Sequence, residues 1–272
     1  MDKRPALAAM TIVITLALPG CPGGNTGTKR DYPAPTAADV AARIEAQQKA
    51  RTGFSAESTM DYWLGKDRLK GAVLVMGTTG KKVRFNALSP AGGNVLADMA
   101  CDGAAFAYVD NQNNCQLAGP CDRQSIATLL RVEVEPEDFL YFAVGTVPLA
   151  GKDGSVTWDG KSGHETVVLN GPAGKQTLEV DLRGGRTDVI KSKLEDASGK
   201  TVWSIENADF GDVKDAAGNE QRLPSKTRFK SPNQQADLVV EWGDRTLNPD
   251  LTNPAKFQVQ IPPGLPACGA KP

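Results

Sequence analysis

The stretch Leu178-Glu179-Val180-Asp181-Leu182 alternates apolar and acidic side chains. Because successive side chains of a β-strand point to opposite faces, this alternation predicts a strand with one face on an apolar core and the other in water. Phe257-Gln258-Val259-Gln260-Ile261 has the same period near the C-terminus. Both stretches indicate an antiparallel sheet that is covered on one side only.

Segments of similar character, separated by turn residues, fill most of the chain around that stretch. Asp102-Gly103 is a strong hairpin signal among them. Sequential hairpins in one uninterrupted domain favour a single curved antiparallel sheet. The predicted strands are 54–64, 69–77, 82–88, 94–101 and 104–109, then 155–158, 164–169, 176–182, 188–194, 202–208, 227–229, 237–242 and 257–261.

Three short helices are predicted beside these strands. Thr36 and Asp39 have the spacing of a capping box, and the apolar stripe that follows indicates a helix to about Arg51. The segments 122–131 and 136–144 predict a helical pair in the middle of the chain. The expected fold class is therefore mainly β, with an N-terminal helix and a two-helix lid over the concave face of the sheet.

Composition limits the functions that this fold can serve. The chain has 272 residues, 40% hydrophobic, with 31 basic against 32 acidic residues and one His. Such a chain can bury a core, and its net charge of -1 lacks the basic excess of a nucleic-acid-binding protein. With few groups suited to proton transfer at neutral pH, a non-enzymatic protein without a cofactor is expected.

The first residues predict export. Lys3 and Arg4 precede the apolar segment 6–18, which is too short to span a bilayer and is typical of a signal peptide. The segment ends in Leu18-Pro19-Gly20-Cys21, which resembles the lipobox of bacterial lipoproteins. That resemblance implies cleavage before Cys21 and acylation of its thiol and new amine. The alternative is that Cys21 is an ordinary cysteine.

This interpretation divides the chain into three parts: a signal peptide (1–20), the lipidated Cys21 with a flexible tether (21–35) and a β-rich domain (36–272). The anchor implies attachment to the cell envelope, with the periplasmic face of the outer membrane favoured over the inner membrane. Pro22 after the acylated position leaves the choice of membrane open.

The remaining cysteines agree with export. Cys101, Cys115, Cys121 and Cys268 are an even number, which predicts two disulfides in an oxidising compartment. Three connectivities are possible, and we expect Cys115 to pair with Cys121 and Cys101 with Cys268. A zinc site is disfavoured because there is no C-x-x-C motif and a single His.

The order of elements and several short motifs resemble the LolA/LolB superfamily and its lipoprotein relatives over residues 37–264. The motifs are Val83-Arg84-Phe85 before Ser89-Pro90-Ala91-Gly92, Asp102-Gly103 before Phe106-Ala107-Tyr108-Val109-Asp110, and Gly218 before Leu223-Pro224-Ser225. The resemblance implies an unclosed barrel with a helical lid, an acyl-chain or lipoprotein ligand in its concavity, and a role in outer-membrane lipoprotein sorting or assembly. The family's protruding loop would correspond to Leu88, Pro90 and Ala91, with Ala91 replacing the family's leucine.

Two interpretations of the aromatic and apolar strand residues remain open. They form either a filled core or the wall of an apolar pocket under the middle helices. The candidate wall residues are Trp63, Val73, Val75, Phe85, Phe106, Tyr108, Phe139 and Phe142. A filled core would favour the alternative function, an envelope scaffold that docks a protein partner.

Catalytic and ion-binding motifs are weak. On a strand, the spacing of Ser162 and His164 would put both side chains on one face, but no carboxylate is evident from the sequence to orient the imidazole. The segment 171–177 only partly matches a phosphate loop, and 110–114 only partly matches a calcium loop. We expect both segments to be hairpin turns.

Overall fold

The computed structural model describes residues 27–90, 93–130 and 134–269, and the predicted signal peptide and Cys21 lie outside them. The described elements are an N-terminal helix, a run of six strands, a pair of helices and a run of seven strands. In chain order they are α1 (Ala37–Ala50), β1 (Gly53–Leu64), β2 (Asp67–Thr78), β3 (Lys82–Leu88), β4 (Val95–Asp102), β5 (Ala105–Asp110), β6 (Cys115–Pro120), α2 (Arg123–Leu130), α3 (Asp138–Ala143), β7 (Asp153–Asp159), β8 (His164–Gly171), β9 (Gly174–Asp181), β10 (Asp188–Glu195), β11 (Thr201–Lys214), β12 (Glu220–Ser231) and β13 (Ala236–Leu247).

The 13 strands of the described residues form one antiparallel sheet in the order β6-β5-β4-β3-β2-β1-β13-β12-β11-β10-β9-β8-β7. The two halves of the chain are joined where β1 pairs with β13, with Met60 opposite Val240. Strands β6 and β7 form the two edges, so the sheet curves without closing. The predicted curved antiparallel sheet is confirmed.

Strand alternation produces the buried face as expected. In β9, Leu178 and Val180 are fully buried, whereas Glu179 between them is half-exposed. Asp181 departs from the pattern because its buried carboxylate pairs with Arg183 and Arg186. One face of the sheet thus carries the core and the other carries polar groups.

Helix α1 packs against the sheet at the edge formed by β7 and β8. The Thr36 hydroxyl accepts a hydrogen bond from the Asp39 amide (3.1 Å), and the Asp39 carboxylate accepts one from the Thr36 amide (2.9 Å), so the predicted capping box is confirmed. The stripe Ala37, Val40, Ala41 and Ile44 is buried, and the helix packs on β7 and β8.

The segment before α1 is bound to the same part of the sheet. The Thr28 amide donates to the Gly160 carbonyl (2.7 Å), and the Trp158 indole donates to the Thr28 carbonyl (3.0 Å). Arg30 forms an ion pair with Glu165 of β8. The part of the predicted tether from Thr28 onward is therefore held against the domain.

The predicted strand at 257–261 is wrong. Pro254–Phe257 forms a 3-10 turn, and the residues after it run along the domain without joining the sheet ladder. The alternation reflects contact of one side of this segment with the domain, since Phe257 is buried while Gln258 and Gln260 are exposed. Further on, Gln116 of β6 exchanges main-chain hydrogen bonds of 2.9 Å with the Pro266 carbonyl and the Cys268 amide.

Two disulfides are present, but the expected pairing is wrong. Cys101 is bonded to Cys121, and Cys115 to Cys268. Cys115 cannot reach Cys121 because the extended strand β6 separates them by roughly 20 Å, against less than 7 Å for a disulfide. The C-terminal segment instead brings Cys268 alongside β6.

Within the three described ranges, no helix is both long and apolar enough to cross a membrane.

Candidate functional site

An apolar cavity of about 250 Å³ lies between the lid helices and the concave face of the sheet. Its walls come from β1 to β5, from β12 and β13, and from α2 and α3. The lining residues are Phe54, Met60, Tyr62, Leu69, Val73, Val75, Phe85, Ala87, Ala97, Met99, Tyr108, Leu129, Phe139, Phe142, Thr227, Phe229, Leu238, Val240 and Trp242.

Strand register explains why space remains here. Val75, Phe85, Met99 and Tyr108 are direct neighbours across β2, β3, β4 and β5, and their large side chains form one row of the wall. The next inward-facing row contains Val73 followed by Ala87 and Ala97. The side chains of Ala87 and Ala97 are single methyl groups, much smaller than those of the first row. They leave space between the sheet and the lid.

The lid contributes an aromatic roof. The Phe139 ring on α3 contacts Phe85 edge-on with centroids 5.1 Å apart and lies 6.4 Å from Phe142, which in turn lies 5.6 Å from Phe229 of β12. Edge-on and tilted aromatic contacts of this kind stabilise packing beyond the area that they bury. The chain of rings therefore joins both walls of the cavity through α3.

Two buried arginines hold the C-terminal end of α3. Arg245 donates to the carbonyls of Ala143 (2.7 Å) and Pro224 (2.6 Å), and Arg51 donates to the carbonyl of Val144 (2.8 Å). Burial lowers the pKa of each guanidinium to about 10. These cations satisfy carbonyls that the end of a helix leaves without partners.

The few polar groups of the wall are engaged with protein partners. The Trp242 indole donates to the Thr227 hydroxyl (3.0 Å), which donates to the Asn207 side chain (2.9 Å). The Tyr108 hydroxyl donates to Asp110 (3.1 Å), and burial raises the pKa of this tyrosine. The cavity thus presents almost only hydrocarbon and aromatic surface, which suits an apolar ligand.

Most of the predicted wall residues line this cavity. Val73, Val75, Phe85, Tyr108, Phe139 and Phe142 all belong to its surface. Trp63 does not, because it follows the inward-facing Tyr62 on β1 and therefore points to the outer face, where it is 42% exposed. Phe106 faces inward but is buried in the main core opposite Cys101.

The predicted loop tip lies at the end of β3, where the chain turns toward β4. Leu88 is the last residue of β3 and is half-buried, and Pro90 is exposed in the connection to β4. Ala91 lies outside the described residues.

The part of the wall that comes from β1, β12 and β13 was not among the residues predicted from the sequence. Met60, Phe229 and Trp242 line the cavity because β1 pairs with β13 and β13 with β12. Alternation in 237–242 showed which residues share a face, but not that this face meets β1. Only the pairing of distant segments brings these residues together.

The weaker motifs have structural roles. Ser162 donates to Asp159 (2.9 Å), whereas the His164 ring contacts Glu179 (2.7 Å), so the two side chains engage different carboxylates. Residues 171–177 contain the turn between β8 and β9, and 110–114 contain the turn between β5 and β6. Among the described residues, no group of three His, Cys, Asp or Glu side chains could hold a metal ion.

Comparison with known proteins gives the fold a name. No protein-family model matches the chain. No curated protein matches it either. Solved structures do match. One of them is a DUF1329 family protein from Desulfovibrio piger, with a TM-score of 0.54 and 14% identity over 82% of this chain and 95% of that one.

Two further solved structures are also similar to this chain. A LolA superfamily protein from Nitrosomonas europaea has a TM-score of 0.53 and 13% identity over 83% of this chain and 99% of that one. A domain from Vibrio parahaemolyticus, named for outer-membrane lipoprotein sorting, has a TM-score of 0.52 and 10% identity over 79% of this chain and 94% of that one. The chain has a LolA-like fold: an antiparallel half-barrel that remains open beneath a helical lid.

Proposed function

We propose that this protein is a lipid-anchored, non-enzymatic protein of the cell envelope that binds an acyl chain or another apolar ligand under its lid and passes it on. The cavity of about 250 Å³ is the observation that carries the proposal. Leu69 lines this cavity and is also 57% exposed, so an apolar molecule has a route from the surface to the interior.

The size and chemistry of the cavity support an acyl chain. Its volume lies just below the usual range of small-molecule pockets, roughly 300–1,000 Å³. Each methylene buried there contributes about 0.8 kcal/mol, and a flexible chain can adapt to a space lined by apolar side chains of different sizes. A polar ligand would find almost no unengaged hydrogen-bonding group on the wall.

The proposed anchor is the diacylglycerol-modified Cys21, with the periplasmic face of the outer membrane as the favoured location. Six residues, 22–27, separate Cys21 from Thr28, the first residue with a described contact to the domain. Six residues reach roughly 20 Å when fully extended. Such a tether would keep the domain close to its membrane, as ligand exchange with lipid requires. A role in lipoprotein sorting or assembly is part of this proposal, supported by the fold of the structural neighbours.

A cavity-filling substitution tests ligand binding. Ala97→Phe places a ring in the space opposite Ala87, and we expect it to weaken uptake of a fluorescent fatty-acid probe at least about tenfold. Ala72→Phe is the matched control, because Ala72 is exposed on the outer face of β2. If the unmodified chain takes up no probe, or both variants take it up equally well, the binding proposal is wrong and the envelope-scaffold alternative is favoured.

The anchor has its own test. Mass spectrometry of the protein extracted from envelope membranes should find an N-terminal Cys21 that carries acyl chains. An unprocessed N-terminus or an unmodified thiol would contradict the lipid anchor without affecting the binding result.

A further inference from the structure

The hairpin between β1 and β2 exposes apolar side chains on both of its faces. Trp63 is 42% exposed on the outer face, and Leu69 is 57% exposed on the inner face. Within the described part of the chain, only Val95 is another large hydrophobic residue with comparable exposure. Exposed apolar groups that lie together favour contact with a partner or a membrane, whereas single ones are common on any surface.

The three residues lie at one end of the sheet. Val95 pairs with Leu88 beside the β3–β4 connection, and Val73 of β2 pairs with Ala87 one position earlier. Since neighbouring strands run antiparallel, the β1–β2 turn and the β3–β4 connection emerge at the same end. Leu69 also lines the cavity, so this end contains its mouth.

Basic residues accompany the apolar groups on this hairpin. Lys66, Arg68 and Lys70 are exposed, with Asp67 as the acidic residue among them. The Arg68 guanidinium lies 4.8 Å from the centre of the Trp63 ring and forms an ion pair with Asp61 of β1 (2.6 Å). An aromatic ring held beside a cationic side chain has the character of a group at the level of lipid headgroups.

We propose that the β1–β2 hairpin, residues 63–70, docks on a bilayer that contains anionic phospholipid, and that this contact directs the cavity mouth to the membrane. The apolar side chains would enter the headgroup region while Lys66 and Lys70 contact phosphate groups. The inference extends the proposed function, since it states where the ligand would enter and leave. Binding of the hairpin to the membrane does not itself require a ligand in the cavity.

Vesicle sedimentation tests this contact. The chain from residue 22 onward, which lacks the acyl anchor and keeps every described residue, is mixed with vesicles of equal parts phosphatidylethanolamine and phosphatidylglycerol. We expect binding that weakens at least about 30-fold in Lys66→Glu/Lys70→Glu, equivalent to ~2 kcal/mol for two lysines near an anionic surface. Lys161→Glu/Lys214→Glu is the matched control, because both lysines are exposed and lie at the opposite end of the strands.

A second measurement locates the contact. Brominated phosphatidylglycerol should quench a fraction of the tryptophan emission that is absent in Trp63→Phe. Lack of vesicle binding by the parent chain, an equal loss in the control variant, or quenching that does not depend on Trp63 would each overturn the proposal.

The two proposals can fail separately. The Lys66→Glu/Lys70→Glu variant should retain fatty-acid uptake in solution, whereas Ala97→Phe should lose uptake and still sediment with vesicles. Loss of vesicle binding in Ala97→Phe would contradict an independent membrane contact at the hairpin.

Discussion

Arg30 and Glu165 form a two-point ion pair, with Nε to Oε1 at 2.7 Å and Nη2 to Oε2 at 2.9 Å. The Glu165 side chain is fully buried, and the Tyr32 hydroxyl also donates to it (3.0 Å). Removing one partner of a buried pair leaves an uncompensated charge, so Arg30→Met should lower the free energy of unfolding by about 3 kcal/mol. Urea denaturation would measure this loss.

The double variant Arg30→Met/Glu165→Leu provides the control. Because it removes both charges, it should recover most of the stability lost in the single variant. If the double variant is as unstable as Arg30→Met, then packing, and not the ion pair, holds the segment before α1 to β8.

Asp138 at the start of α3 makes stability depend on pH. Burial raises its pKa to about 6 from the ordinary 3.8, although its carboxylate accepts a hydrogen bond from the Glu135 amide (3.0 Å). The folded chain therefore disfavours the ionised form, and stability is lost as the pH rises from about 4 through 6. Asp138→Asn keeps the acceptor without the charge, and should be more stable by about 3 kcal/mol at pH 7. Unfolding curves at several pH values should show this difference disappearing below about pH 4, and a constant difference would contradict the assignment.

The two disulfides should contribute unequally to stability. Cys101–Cys121 closes a loop of 20 residues and Cys115–Cys268 one of 153. In the chain-entropy model, these loops correspond to about 3 and about 5 kcal/mol. Paired Cys→Ala variants, measured by guanidinium denaturation, should follow that order. Peptide mapping without reduction should find these two linkages, and a Cys115–Cys121 peptide would contradict them.

The Thr227 hydroxyl should contribute more to the stability of the fold than the Thr227 methyl group does. Thr227→Val deprives the half-buried Trp242 indole of its acceptor and the buried Asn207 side chain of its donor. Leaving these groups without partners should cost about 2–3 kcal/mol. Thr227→Ser keeps the hydroxyl and should cost about 1 kcal/mol. Equal losses in thermal unfolding would indicate that packing dominates at this position.

Local patterns predicted most strands because burial on one side imposes a period of two on each of them. The prediction of 82–88 coincides with β3, and the strands on either side differ by only a few residues. Strand β6 was missed because Cys115-Gln116-Leu117-Ala118-Gly119-Pro120 shows weak alternation and ends in Gly-Pro. Its partners, β5 and the C-terminal segment, determine that it is extended.

The candidate site was predictable only in part, since its two walls arise differently. Val73, Val75 and Phe85 belong to successive hairpins, so their shared face follows from short-range pairing. Trp242 reaches the cavity only through pairing of β13 with β1, which no local pattern reveals. Trp63 shows how a shift of one residue along a strand exchanges the interior for the surface.

The C-terminal segment covers part of the edge strand β6. An exposed edge strand offers its free amide and carbonyl groups to a second molecule, which is a common route to fibres. Here the Gln116 amide donates to the Pro266 carbonyl and the Gln116 carbonyl accepts from the Cys268 amide. The Cys115–Cys268 disulfide holds the C-terminal segment against β6. A molecule shortened before Pro266, or one made in a reducing cytosol, would present an uncovered border and become prone to precipitation.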